Sequence, residues 1–170
     1  MMSTSVFKKV IVEILCAILL LITIILSLFY GAVPMHNLSL WRMQHALTSS
    51  IPHPSETVSI EQRLFIGTRY INESECTYSV GEFRSTSLPR EVLLEKYKNL
   101  SVDLFGFAYN MSVHVIVMDN DASLPLDEPA DEWLHDFLSR IDSSSSDITY
   151  YLVYLYEKGR SSLGDYRCYE

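Results

Sequence analysis

The sequence predicts an α+β protein: an N-terminal transmembrane helix followed by one mainly antiparallel sheet domain, with two helices packed on the sheet. Residues 10–29 form an almost uninterrupted apolar run. The roughly 140 residues after residue 30 suffice for one ordinary domain and are too few for two. In that part, alternating and helically periodic segments follow in the order ββαββαββ. Because hairpins dominate, we expect an α+β sandwich with helices on one face of the sheet.

The apolar run has the length of a membrane-spanning helix, since twenty helical residues span about 30 Å, the hydrocarbon thickness of a bilayer. Lys8 and Lys9 precede the run and only Arg42 follows it closely, so we expect a cytoplasmic N-terminus. A cleaved signal peptide is the alternative, but its apolar core would be shorter, and a small residue would replace Phe29-Tyr30 before the cut. We therefore predict an uncleaved signal-anchor of a single-pass membrane protein. The predicted parts are a cytoplasmic tail at 1–9, the anchor at 10–30, a juxtamembrane stalk and linker at 31–57, and an extracytoplasmic domain at 58–170.

The first half of the domain is predicted to form a hairpin and a helix. Residues 58–71 and 76–83 alternate between apolar and polar side chains, which predicts two strands. The polar residues 72–74 between them suit a turn. A helix is expected over 89–98, because proline is favoured in the first turn of a helix.

The second half should add four strands and a second helix. Residues 102–109 and 112–118 form the clearest strand pair, and 112–118 is apolar on both faces, which favours a central strand covered on both sides. Residues 129–141 place apolar side chains at spacings of 3, 4 and 7 and predict an amphipathic helix. A long strand over 148–156 and a last short strand ending at Cys168 complete the order.

Two cysteines of the predicted extracytoplasmic domain, Cys76 and Cys168, have no metal-ligand spacing. In an oxidising compartment we expect them to form one disulfide, whose loop of about 92 residues would contribute on the order of 4–5 kcal/mol. A pair of free thiols is the alternative.

Asn-x-Ser triplets begin at Asn37, Asn72, Asn99 and Asn110. They predict a glycoprotein modified at Asn72, Asn99 and Asn110, whereas Asn37 follows the membrane segment by only seven residues. In a bacterial inner-membrane protein with a periplasmic domain the same triplets would be chance matches.

The domain carries twenty acidic and eleven basic residues after residue 30, a formal charge of −9. That charge disfavours nucleic acid and anionic lipid and suits a basic protein partner, although it can also serve solubility alone. Seven of the acids fall within eighteen residues that contain no Lys or Arg. They are Asp119, Asp121, Asp127, Glu128, Asp131, Glu132 and Asp136. We predict that these acids form a partner-binding face with Trp133 as an anchor; the alternative is that Trp133 belongs to the core and the acids are a solvated face.

A buried strand followed by Asp119-Asn120-Asp121 resembles the Asp-x-Asp motif with which glycosyltransferases hold a divalent metal and a nucleotide sugar. The resemblance covers about seven residues (115–121) and implies a small metal-dependent enzyme that uses Asp119 and Asp121. The five histidines show no metal-ligand spacing, and the chain has no phosphate-binding glycine loop or serine-nucleophile elbow.

The sequence therefore predicts a membrane-anchored, extracytoplasmic protein-interaction domain without catalytic activity and without a cofactor or metal. An immunity-type inhibitor, an envelope-complex subunit and a small surface glycoprotein all fit this description. The glycosyltransferase-type enzyme is the alternative from a different functional class.

Overall fold

The computed structural model describes residues 4–68, 75–104, 110–118, 130–141, 148–161 and 164–169. It is an α+β protein with a long N-terminal apolar helix and an antiparallel sheet. The helices are α1 (Thr4–Tyr30), α2 (Val33–Ser49), α3 (Arg90–Tyr97) and α4 (Ala130–Leu138). The strands are β1 (Thr57–Gly67), β2 (Glu75–Thr86), β3 (Ser101–Val102), β4 (Met111–Ser112), β5 (His114–Met118) and β6 (Thr149–Ser161). A 3₁₀ helix at Tyr166–Tyr169 replaces the predicted last strand.

The main sheet has the order β1-β2-β6-β5, and every pairing in it is antiparallel. Strand β2 pairs with β6 from Glu75↔Ser161 to Thr86↔Thr149, which makes these two long strands the centre of the sheet. Strands β3 and β4 form a separate two-stranded sheet. The prediction of a central strand at 112–118 was wrong, since β5 lies at the edge of the sheet that the described residues form. The segment is apolar on both faces because each face of the sheet is covered by part of the core. Val115 packs against the core on one face and Ile116 against the core on the other.

The core has two parts, one on each face of the sheet. On one face, alternate residues of β2 and β6 such as Tyr78 and Val153 pack with α2 and α3. On the other face, Phe83 and Leu152 pack with the apolar side of α4. The expectation that the helices share one face was therefore wrong, because the strands that they cover alternate apolar side chains to both faces.

The segment predicted as a stalk and linker contributes to the core. Helix α2 buries one stripe of side chains against the sheet, consisting of His36, Ser39, Leu40, Met43, Ala46 and Leu47. Their spacing of three and four residues is that of one helical face. The chain thus passes from the apolar helix directly into a core helix, and Ile51 between α2 and β1 is buried in the same core.

Helix α1 is long and apolar enough to cross a membrane, with a mean hydropathy of 3.0 over its most apolar window. Within the described residues that window is not covered by the rest of the protein. Apolar side chains such as Leu19 and Leu20 are each 63% exposed, which fits a helix that crosses a membrane.

Candidate functional site

The predicted acidic surface can be followed only on α4. Asp119, Asp121, Asp127 and Glu128 lie outside the described residues, and the side chain of Asp131 does too. Glu132 and Asp136 are exposed on α4. The predicted enzymatic pair, Asp119 and Asp121, thus has no described geometry.

The carboxylate of Asp136 belongs to an ion-pair network rather than to a free acidic patch. Its Oδ2 accepts hydrogen bonds from Arg63 of β1 at 2.5 Å and from Arg140 at 3.1 Å. Glu61 joins the same network, because it pairs with Arg140 at 2.8 Å and with Arg63. Two acids and two bases balance one another here, so Asp136 adds little net charge to the outer side of α4.

Trp133 is a core residue and not an exposed anchor. Its side chain is 7% exposed and lies over Gly81 of β2: a Cβ atom at Gly81 would stand 2.8 Å from Trp133 Cζ3. Phe137, one turn along, stacks on Phe83 with ring centroids 4.1 Å apart. These contacts orient the inner side of α4 towards the sheet and leave Glu132 and His135 on its outer side.

A buried polar cluster joins the start of α2 to the C-terminal segment at 164–169. His36 Nδ1–H donates to Asp165 Oδ2 at 2.9 Å, and Arg167 donates to both oxygens of Asp165, with Nε at 2.9 Å and Nη2 at 2.6 Å. Burial alone would raise the pKa of Asp165, but the hydrogen bonds from Arg167 and His36 outweigh it and hold this pKa below its usual value. The amide of Ala32 also donates to the Gly164 carbonyl at 2.8 Å. The C-terminal segment is therefore fastened to the point where α1 passes into α2.

The Cys76–Cys168 disulfide lies beside this cluster and agrees with the predicted pair. Both cysteines are fully buried, and the bond connects the first residues of β2 to the 3₁₀ helix. His36 is their neighbour: a ring nitrogen of His36 and the two sulfurs lie within 4.8 Å of one another. Sequence spacing could not reveal this group, because each member comes from a different element.

A second polar cluster lies between the sheet and the end of α2. His53 Nε2–H donates to the Leu47 carbonyl at 2.7 Å, and His53 Nδ1 accepts from the Tyr97 hydroxyl at 2.8 Å. Burial lowers the pKa of His53 and raises that of Tyr97, so both side chains are held neutral. In the same region Glu82 is 2% exposed and pairs with Arg84 at 2.6 Å. These groups form a structural network around one end of the sheet.

A surface groove of about 350 Å³ separates α2 from the edge strand β1. Trp41, which is 58% exposed and stacks on His45, lines one wall, and Leu64 of β1 lines the other. Trp41 is thus the exposed tryptophan of the molecule, whereas the acidic sequence pattern had pointed to Trp133.

The predicted glycosylation sites differ in what can be described. Asn99 and Asn110 are exposed, as an acceptor must be, and Asn99 has a left-handed backbone (φ 56°) just after α3. Asn72 lies outside the described residues. Asn37 is exposed, but its Oδ1 accepts a hydrogen bond from Arg167 at 2.8 Å.

Comparison of the chain with protein-family models, with curated proteins and with solved structures finds no match.

Proposed function

We propose that this chain is a single-pass membrane protein whose sheet domain faces an extracytoplasmic compartment and binds another protein without catalysing a reaction. Helix α1 supplies the anchor, and the disulfide suits an oxidising compartment on the far side of the membrane. The two lysines before the apolar run favour a cytoplasmic N-terminus.

The partner-binding surface in this proposal is the acidic stretch 119–136 without Trp133 and Asp136. Trp133 is buried, and Asp136 is paired with Arg63 and Arg140. The remaining acids are Asp119, Asp121, Asp127, Glu128, Asp131 and Glu132. The observation that carries the proposal is the orientation of α4: Trp133, Leu134 and Phe137 pack on the sheet, so Glu132 is directed to solvent.

A basic protein partner fits this surface, because a cluster of one charge sign raises association rates with an oppositely charged partner and weakens as salt increases. The fastening of the C-terminal segment to Ala32 and His36 supports the same function in another way. It limits rotation of the domain relative to its anchor, so the surface is presented in one orientation.

The proposal is tested by capturing the tagged full-length protein from its native membranes at low salt and identifying the proteins bound to it. Neutralising two acids, Glu128→Gln with Glu132→Gln, should weaken the association with a stoichiometric partner several-fold. A matched control on the opposite face of the sheet, Glu91→Gln with Glu95→Gln, removes the same charge from α3 and should leave the association unchanged. Equal losses in both variants, or the absence of a stoichiometric partner, would refute the proposed surface.

A further inference from the structure

His36, Cys76 and Cys168 have the composition and spacing of a soft-metal site once the disulfide is open. A ring nitrogen of His36 and both sulfurs lie within 4.8 Å of one another. Tetrahedral Zn²⁺ with bonds of about 2.3 Å to sulfur and about 2.0 Å to nitrogen places its ligand atoms about 3.5–3.8 Å apart. The three side chains therefore need only small shifts, and Cys168 lies on a four-residue 3₁₀ helix rather than within the sheet.

The surroundings of His36 are those of a metal-binding histidine. Its Nδ1–H donates to Asp165, which leaves Nε2 as the nitrogen available to a cation. A carboxylate in this position fixes the orientation and tautomer of the imidazole and raises its basicity as a ligand. Asp165 is itself held by Arg167, and Tyr78 packs edge-on against the His36 ring at 5.4 Å, which restricts rotation of that ring.

Charge balance favours a divalent cation, and the two sulfurs and one nitrogen suit Zn²⁺. Two thiolates and one Zn²⁺ are together neutral, and the adjacent Asp165–Arg167 pair is also neutral. The site is buried, with His36 8% exposed and both cysteines fully enclosed, so a neutral complex avoids the desolvation cost of a net charge. A neutral imidazole completes three protein ligands and leaves a fourth position for water or an external ligand.

We infer that the Cys76–Cys168 disulfide and a Zn²⁺ site formed by His36, Cys76 and Cys168 are alternative states of one position. A dithiol reductant supplies two electrons and two protons, becomes a disulfide itself, and leaves two thiols on this chain. Zn²⁺ then binds the two sulfurs and His36 and releases the two thiol protons. Both states connect the start of β2 to the C-terminal segment, so the cation preserves a contact that reduction would otherwise abolish.

The test uses the full-length protein in mild detergent, oxidised or anaerobically reduced with a phosphine, and titrated with Zn²⁺ and, as a spectroscopic probe, with Co²⁺. The reduced protein should bind about one Zn²⁺ per chain and give a thiolate-to-Co²⁺ charge-transfer band, whereas the oxidised protein should do neither. His36→Gln keeps an amide donor for Asp165 but is a poor metal ligand, and it should weaken Zn²⁺ binding by at least about tenfold. Asp165→Asn should weaken it by about 10–100-fold, the usual effect of losing a partner of a metal-bound histidine. His45→Gln, an exposed position on the same helix, should change nothing.

Equal Zn²⁺ affinity of the reduced wild type, His36→Gln and His45→Gln would overturn the inference, as would no stoichiometric binding. If reduction unfolds the protein, refolding becomes the measurement. One equivalent of Zn²⁺ should then restore the near-ultraviolet circular dichroism of the wild type but not that of His36→Gln. Failure of Zn²⁺ to refold the wild type would also overturn the inference.

Discussion

The placement of Trp133 over Gly81 makes a quantitative prediction that separates a core residue from a binding anchor. A Cβ atom at Gly81 would lie 2.8 Å from Trp133 Cζ3 and 3.0 Å from Leu152 Cδ1. Overpacking of this kind costs about 1–3 kcal/mol. Alanine in a strand is also more stable than glycine by about 0.5–1 kcal/mol, because it loses less backbone freedom on folding. The difference leaves a net destabilisation by Gly81→Ala of up to about 2.5 kcal/mol.

In a Trp133→Leu background the colliding indole atoms are gone and the contact with Leu152 Cδ1 remains, so Gly81→Ala should become close to neutral. The coupling between the two sites is then about 1–2 kcal/mol, a size typical of residues in direct contact. The single change Trp133→Leu should itself lower the free energy of unfolding, by less than the about 3–5 kcal/mol of truncating a buried tryptophan to alanine.

Urea unfolding of the full-length chain in mild detergent, followed by circular dichroism, measures the four free energies of this cycle. Gly67→Ala is the matched control, since its Cβ would meet Phe65 and the Arg167 carbonyl rather than the indole. Its cost should be the same in the wild-type background and in the Trp133→Leu background. If Gly81→Ala had the same effect in both backgrounds, or if Trp133→Leu left stability unchanged, Trp133 would not lie on the sheet. Trp133 would then again be a candidate for the partner-binding surface.

Three further predictions follow from other contacts. Replacing Cys76 and Cys168 together by serine should lower the free energy of unfolding by on the order of 4–5 kcal/mol, measured by urea unfolding against the oxidised wild type. Burial lowers the pKa of His53, so the unfolded chain binds its proton first, and stability should fall as pH decreases below about 6.5; His53→Gln should flatten that part of a pH series of thermal transitions. Asp136→Asn should change stability by less than about 1 kcal/mol, as expected for an exposed ion pair, and should weaken partner binding less than Glu132→Gln does in the same capture assay.

The elements that sequence reasoning predicted well are those whose signal is local. Helix α4 was expected over 129–141 and is found at Ala130–Leu138, because its apolar side chains recur at helical spacing. The strands around Thr57–Gly67 and Glu75–Thr86 followed from alternation. The disulfide followed from counting cysteines once the compartment was inferred. None of these depends on how distant segments meet.

The errors concern features that distant contacts decide. The stripe of α2 was hidden because two of its buried members, His36 and Ser39, are polar and a long apolar helix precedes them. Strand β6 runs to Ser161, five residues beyond its predicted end, since β2 continues beside it and supplies hydrogen-bond partners. Segment 112–118 is apolar on both faces because helices cover both faces, a pattern that says nothing about neighbours within the sheet. The group of His36 with the two cysteines needs the folded sheet and therefore has no sequence signature.

Helix α2 and the acidic helix α4 lie on opposite faces of the main sheet. Helix α2, which follows the apolar helix α1, packs on the face that contains Tyr78, whereas α4 packs on the face that contains Phe83. The acidic side of α4 is consequently separated from α2 by the full thickness of the sheet. A protein bound to that side, as proposed, would not displace the contacts between the C-terminal segment and the start of α2. Because Asp165 and the disulfide lie on the anchor side, weakening them should alter how the domain is held and leave the affinity of an isolated partner for α4 unchanged.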